Sequence, residues 1–372
     1  MLRIALIGCG HIGTVHSYAL GQLARAGLVD AAITATFDPD RDRAEETARH
    51  HQGATAHPTM EAALDAADIA WICTWTAGHA DAVDAAVARD LAVFCEKPLA
   101  PTIGGCRAIA DSLRGRPHQV GLVLRHAPVF AAFADAVASG RYGRPMAVVF
   151  RDDQYFPIQG MYGSTWRADV TKAGGGTLIE HSIHDLDVLQ WILGPVTAVS
   201  AATAETFGHA GIEDVATLRC EFGSAATATL TSVWHQVLSR PSTRRLELFC
   251  EEAMLWTEDD YLGPVHVETS AGHEELTAEP PEWIGRLHTP EVLAKSVAQY
   301  ADPSKRFLDA LVAAGATGDG RRASGVIGSP TVDEALAAHE VVDAAYRSAA
   351  AGGAVTAVPV VPGVTGADPA SR

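Results

Sequence analysis

Along the N-terminal third of the chain, short apolar runs alternate with amphipathic stretches, a pattern that predicts strands separated by helices. Apolar runs at 2–7, 69–74, 91–95 and 119–124, together with the β-rich run AAITATF that leads into Asp38, read as strands. Between them, the stretch from the first glycine turn to about Ala26 and the stretches at 41–51, 59–66, 79–90 and 103–113 read as helices. Strands that alternate with helices imply a parallel, doubly wound α/β sheet, and this first domain is expected to end at 124. From Ala147 the texture changes. MAVVFRDD, AVSAATAETF, DVATLRCEF, ATATLTSVW, RRLELFC, AMLWTE and PVHVET are separated by turns and interrupted by one helix, over 176–193, which predicts an open, mostly antiparallel sheet. A helix over 291–314, a Gly-rich loop over 315–328 and a helix opened by Pro330-Thr331 and running to Ala350 complete this α+β domain. The expected division is 1–124, 125–356 and an irregular tail over 357–372.

Composition narrows the function classes. With 372 residues the chain exceeds the usual single domain, and 48% apolar against 20% charged residues is a globular balance. A formal net charge of -17, with only 28 Lys and Arg, argues against nucleic acid or an anionic membrane surface as partner. No segment reaches the roughly 18 apolar residues of a membrane span. The first apolar run passes directly into a glycine turn, which leaves no room for a signal peptide, so a cytoplasmic location is expected. The six cysteines show no CxxC spacing, and Cys9, Cys73 and Cys95 lie in or beside predicted strands, as reduced thiols do.

The first strand opens into Gly8-Cys9-Gly10-His11-Ile12-Gly13, the strand, glycine turn and helix order of a dinucleotide site. The first glycine permits the turn, the second lets backbone approach a pyrophosphate, and the third allows close packing, while the helix N-terminus attracts the phosphate charge. Asp38, at the end of the second strand, would accept hydrogen bonds from the adenosine ribose and repel a 2′-phosphate, which favours NAD; Arg41 and Arg43 nearby leave NADP open. In such sheets ligands gather at the carboxyl ends of strands, where Gly8, Asp38, Thr74 and Glu96-Lys97 all fall.

These elements, with Thr74 five residues before His79, Glu96-Lys97-Pro98, GLVLRHAP, WRADVTKAGGG and the Glu180-x-x-x-His184 spacing, resemble the Gfo/Idh/MocA oxidoreductases, which act mainly on sugars, cyclitols and related polyols. The similarity runs from residue 1 to about 356. The resemblance implies NAD contacts from Gly8, Gly10, His11, Ile12, Gly13, Asp38, Thr74, Trp75, His79, Glu96, Lys97 and Pro98. It implies that Lys97 reaches nicotinamide ribose and substrate hydroxyl, that His184 is the general base, and that Glu180 orients substrate or imidazole. Glu180 and His184, four apart on one expected helix, would share a face. Two departures bear on substrate identity: Glu180 stands where many relatives carry Asp, and Trp75-Thr76 where they carry a proline.

Substrate selection is expected in the second domain, where residues 151–172 crowd polar and aromatic groups. Arg125, Gln154, Tyr155, Tyr162, Trp166, Arg167, Lys172 and His181 are the candidates, with Trp234-His235 a weaker one. Glu180, His181 and His184 could mimic a metal cluster, but adjacent positions on one helix do not converge on an ion and no further His/Cys group is spaced to complete a site, so no metal is expected. Three functions fit: an NAD-dependent sugar or polyol dehydrogenase, an NAD-dependent glycosidase that begins with the same oxidation, and a nucleotide-binding sensor, which would not require Lys97 or His184. The expected partners are a small carbohydrate and, across the open sheet, further copies of the chain in a dimer or tetramer.

Overall fold

The protein, described by a computed structural model over residues 1–240, 242–316, 325 and 328–366, divides into two compact units. Met1–Val123 with Pro281–Val332 form the first; Leu124–Pro280 with Asp333–Arg372 form the second. Most of the Gly-rich loop expected over 315–328 and the last residues of the tail lie outside the described residues.

In the first unit, strands β1 (Leu2–Ile7), β2 (Ala31–Phe37), β3 (Thr55–Ala56), β4 (Ile69–Ile72), β5 (Ala92–Cys95) and β6 (His118–Val120) form a parallel sheet in the order β3-β2-β1-β4-β5-β6. Helices α1 (His11–Arg25), α2 (Arg41–Arg49), α3 (Met60–Asp65), α4 (His79–Val87) and α5 (Ile103–Leu113) connect them. Because both faces are covered, the strands read as nearly unbroken apolar runs, and β4 and β5 are buried throughout. Trp71 and Phe94 stack at 4.1 Å inside this core. Against them pack Phe307, Leu308 and Leu311. These belong to the long helix Glu291–Ala313, which also meets Ala19 and Leu23 of α1 through Ala301. The helix expected in the second domain thus completes the core of the first. Its apolar stripe fixes which face is buried, not which core receives it.

The second unit holds a nine-stranded sheet of β7 (Pro145–Tyr155), β8 (Val196–Ala204), β9 (Val215–Phe222), β10 (Thr227–His235), β11 (Thr243–Cys250), β12 (Ala253–Thr257), β13 (Val265–Thr269), β14 (Gly272–Leu276) and β15 (Thr356–Ala357). The order is β14-β13-β12-β11-β7-β10-β9-β8-β15. β7 and β10 run parallel and the other pairs antiparallel. Burial alternates residue by residue: Val148 and Phe150 of β7, Leu246 and Leu248 of β11, and Val265 and Val267 of β13 face inward. Val149, Arg151, Arg245, Glu247 and Trp256 occupy the other face. Helices cover only the inward face. They are α6 (Pro128–Ala138), α7 (Val170–Ala173), α8 (Thr177–Glu180), α9 (Ile183–Leu193) and α11 (Val332–Ala350); the Glu291–Ala313 helix of the first unit is α10 in chain order.

Three expectations are corrected here. The tail is held as far as 364: Thr356–Ala357 pairs with β8, and Val358, Val361 and Val364 are buried. The helix α6 and the charged edge strand β14 carry no element in the pattern reading. Most consequentially, the helix expected over 176–193 is broken. The Ser182 N–H donates to the Thr177 carbonyl and the His184 N–H to the His181 carbonyl, so the i to i−4 ladder lapses around His181, whose φ, ψ of -122, -62 is not helical. Glu180 ends α8 and His184 begins in α9, so they do not share a face of one helix.

Candidate active site

The cofactor half of the site lies in the first unit. Gly8 adopts φ +94, and a Cβ there would meet the Cys73 backbone at 2.6 Å; a Cβ on Gly13 would meet the Gly8 carbonyl oxygen at 2.1 Å. At Gly10, by contrast, a Cβ would find open space, so the backbone at the start of α1 can be approached closely. The first N–H groups of a helix lack intrahelical partners and suit a pyrophosphate. The Asp38 carboxylate closes the other side of the loop, accepting from the Cys9 N–H at 2.8 Å and the Asp40 N–H at 2.8 Å. This is a cradle that NAD fits, with the carboxylate at the ribose end.

Lys97 is set by what lies beneath it. Glu96 is buried, takes a hydrogen bond from His16 Nε2 at 2.7 Å on one oxygen and accepts the Lys97 N–H at 3.0 Å on the other. Burial alone would lift the Glu96 carboxyl, but the His16 hydrogen bond and charge, with Lys97, hold it below the usual carboxylate range. His16 is itself boxed by Trp71, Phe94 and Tyr300. The Lys97–Pro98 peptide is cis. His79 is buried and lies 2.8 and 3.2 Å from the Pro98 and Thr74 carbonyl oxygens, so it ties the segments after β4 and β5 together. Thr74 turns its hydroxyl to the Trp75 carbonyl at 3.1 Å, and Trp75 is exposed. His11 and Ile12 begin α1.

In the second unit the three glycines at 174–176 have separate tasks. Gly174 ends α7 at φ +86. A Cβ on Gly175 would sit 2.4 Å from the Tyr346 hydroxyl, and one on Gly176 would overlap the Glu213 carbonyl oxygen at 1.8 Å. Glu213 accepts the Gly176 and Leu178 N–H groups at 2.7 and 2.9 Å and the Tyr346 hydroxyl at 3.0 Å, which anchors the start of α8. Glu180, at the end of that helix, is buried and accepts Arg167 Nε at 3.1 Å; Arg167 in turn lies over the Trp166 ring. His184 is buried at the first turn of α9.

Between them His181 turns to Asp152 of β7, Nε2 to Oδ1 at 2.9 Å, while the Ser182 hydroxyl donates to the other oxygen at 3.1 Å. Asp152 is fully buried, and its strand partner Arg244 on β11 lies 3.3 Å away. Arg244 also donates to Asp185 at 2.8 Å and reaches Asp260 at 3.3 Å. Burial, then the neighbouring Asp152 charge, push the Asp185 carboxyl up to about 8. None of Asp152, Asp185, Glu213 or Arg244 figures among the residues expected from sequence. Each gains its meaning from strand register or a long-range partner, and only the RDD run hinted at one.

Several expected substrate residues are engaged elsewhere. Arg125 makes a two-pronged ion pair with Asp187, at 2.7 and 2.6 Å, and a further one with Glu334, so its guanidinium is committed to carboxylates within the fold. Lys172 is an exposed partner of Asp169 at 3.4 Å. Trp166 packs against the cluster of Phe156, Ala173, Ile212 and Trp234, and Trp234 belongs to that core. His235 faces Asp153 at 3.4 Å. Tyr155 and Tyr162 contact each other at 5.2 Å, and the Tyr155 hydroxyl accepts the Met161 N–H; Gln154 is buried on β7 beside them. Glu180, His181 and His184 do not form a metal set, since the first two turn to Arg167 and Asp152. Among the described residues, His266, His273 and Glu275 do bring ligand atoms together, across the β13–β14 hairpin.

Comparison with known proteins agrees with both halves. A model described as an oxidoreductase family NAD-binding Rossmann fold matches residues 2–123, and a GFO/IDH/MocA C-terminal domain matches 130–256. An inositol 2-dehydrogenase of Rhizobium meliloti is 27% identical over 94% of this chain and 97% of its own length. One from Streptomyces avermitilis is 32% identical over 56% of this chain, and that match spans 59% of the relative. Among solved structures, a levoglucosan dehydrogenase in complex with NADH and L-sorbose shares the fold with a TM-score of 0.81 at 19% identity, over 97% of this chain and 100% of that one. With its parallel NAD-binding sheet, its mixed second sheet and both halves matched in order, the chain belongs to the Gfo/Idh/MocA oxidoreductases.

Proposed function

We propose that this protein oxidises a secondary hydroxyl of a sugar, cyclitol or related polyol to the ketone. The observation that carries the reading is Lys97 at the end of β5, held by the buried Glu96–His16 pair beside the dinucleotide cradle. When bound, NAD supplies the hydride acceptor. His184 takes the hydroxyl proton as general base, a role suited to imidazole near neutral pH. Lys97 donates to a substrate hydroxyl oxygen and stabilises negative charge that grows on it. Glu180, steadied by Arg167, orients the hydroxyl. Gln154, Tyr155, Tyr162, His181 and Arg167 are the residues proposed to select the ring. Inositol enters as the first substrate to try, since a relative matched over 94% of this chain carries that name. The sensor reading leaves Lys97 and His184 without a task.

The test is a panel of cyclitols, sugars and glycosides incubated with NAD and followed by NADH absorbance. One NADH is expected per hydroxyl oxidised. Release of an aglycone from a glycoside without net NADH, and with exchange of the adjacent carbon-bound hydrogen, would reject net oxidation in favour of glycoside cleavage.

A further inference from the structure

The edge of the second sheet gathers a set of groups with no part in hydride chemistry. On β13, Val265 and Val267 are buried, so His266 and Glu268 project from the opposite face. On β14, Glu274 turns to Tyr142 and Arg141, which leaves its neighbours His273 and Glu275 on the other side. The register sets His266 opposite Glu275 and Glu268 opposite His273. Two imidazoles and two carboxylates therefore form a square on one face of a hairpin, on the side of the sheet that no helix covers.

Their separations approach those of ligands around one ion. His266 Nδ1 and His273 Nε2 lie 3.2 and 3.8 Å from the same Glu275 oxygen, and His273 Nδ1 lies 3.4 Å from Glu268 Oε1. One ligand atom from each of His266, His273 and Glu275 falls within 4.8 Å of the other two. Around tetrahedral zinc, with bonds of about 2.0 to 2.2 Å, neighbouring ligand atoms stand about 3.3 to 3.5 Å apart, so small side-chain rotations suffice. The floor is rigid. Trp256, the strand partner of His266, stacks on that imidazole at 4.9 Å and touches the His273 ring at 5.8 Å. Such backing limits the orientations the first imidazole can take and so lowers the ordering cost of binding.

Cross-strand ion pairs join these groups two by two, leave the buried His266 Nδ1 without a hydrogen-bond partner, and set two carboxylates at opposite corners of the square on a chain that already carries a net charge of -17. A divalent ion takes both imidazole lone pairs and offsets both charges at once. The mixed nitrogen and oxygen donor set suits a borderline ion such as Zn²⁺ over Mg²⁺ or Ca²⁺, which prefer oxygen alone. We propose that His266, His273 and Glu275, with water completing the set, form a divalent transition-metal site that clips the edge strand β14 to the sheet. This site is independent of the dehydrogenase reading, since β12 and β11 stand between the hairpin and β7.

The experiment uses the full chain, dialysed against a chelator and then titrated with ZnCl2 by calorimetry, alongside His266→Ala, His273→Ala and, as a control, the exposed His50→Ala. Binding of one ion per chain is expected, weakened at least tenfold in either hairpin variant and unchanged in the control. Zinc should also raise the melting temperature of the parent and control but not of the hairpin variants. Absence of binding at 100 μM zinc, or equal binding by parent and both hairpin variants, would overturn the site. Circular dichroism of each variant distinguishes loss of the ligand from loss of the fold.

Discussion

At Asp38 both carboxylate oxygens are anchored by backbone N–H groups, which fixes a negative charge at the end of β2, where we propose that the adenosine ribose binds. Replacing Asp38 with Ala removes the ribose hydrogen bonds and the repulsion of a 2′-phosphate together, so the NAD over NADP ratio of kcat/KM should fall by about tenfold or more, measured with both cofactors at fixed substrate. Lys97→Ala and His184→Ala should each lower kcat on the order of a hundredfold or more, with far-UV circular dichroism unchanged. A near-normal rate in His184→Ala would remove it as the base. The places of Asp38 and Lys97 at strand ends are legible in the sequence, because they follow from a local pattern of strand and turn. Asp152, Arg244 and Glu213 are not, because their partners are brought to them by β7–β11 register or across 37 positions of chain. Arg125 likewise takes its setting from distant partners, since it pairs with Asp187 and Glu334.

The glycine run and the helices it feeds decide how His184 is carried. Gly176→Ala forces a methyl into the Glu213 backbone, and the clash should lower stability by about 1 to 3 kcal/mol in urea melts, with loss of activity as α8 shifts. Beyond α8 the ladder breaks so that His181 and Ser182 can reach Asp152, a local departure that a helical hydrophobic pattern continues straight across. The helix Pro128–Ala138 is absent from the expected elements although proline stands at its first turn and Gly140 past its end, whereas β14 offers a charged GHEEL that no strand pattern singles out. Asp185, in the first turn of α9, gives this region a pH signature. Its carboxyl keeps its proton to about 8 in the folded chain but ionises near 3.9 when unfolded, so the folded state binds the extra proton between those limits. Its contribution is full below pH 4 and is lost as pH rises towards 8. Thermal melts should therefore show the parent losing stability relative to Asp185→Asn between pH 5 and 8; parallel curves would refute the shift. Removing the cation instead, in Arg244→Met, leaves buried carboxylates without their partner and should cost about 3 to 5 kcal/mol.

On the scale of the whole molecule, the face of the nine-stranded sheet that helices do not cover carries exposed Val149 among Arg151, Arg245 and Glu247, a more charged surface than an apolar open sheet. We propose that copies of the chain associate through it as a dimer or tetramer. Light scattering at micromolar concentration should give a mass above one chain, decreasing when Val149 is replaced by Lys. Turnover should survive chelation, since no step assigned to Lys97, Glu180 or His184 uses a metal. Two domains are readable from the switch in texture near 147, but the return of 281–332 to the first unit is not, because amphipathic helices carry no address.

That return has a consequence for how the protein is made. The chain enters the second unit after Val123 and comes back only at Pro281, so the first unit lacks Phe307, Leu308 and Leu311 until translation has passed them. During synthesis the nascent sheet must wait with Trp71 and Phe94 on a face still short of its cover, while the second unit is being threaded between the two halves of the first. An isolated fragment ending at 124 would keep the dinucleotide loop yet expose that apolar face, and is expected to aggregate on expression rather than stay in solution as an independent domain.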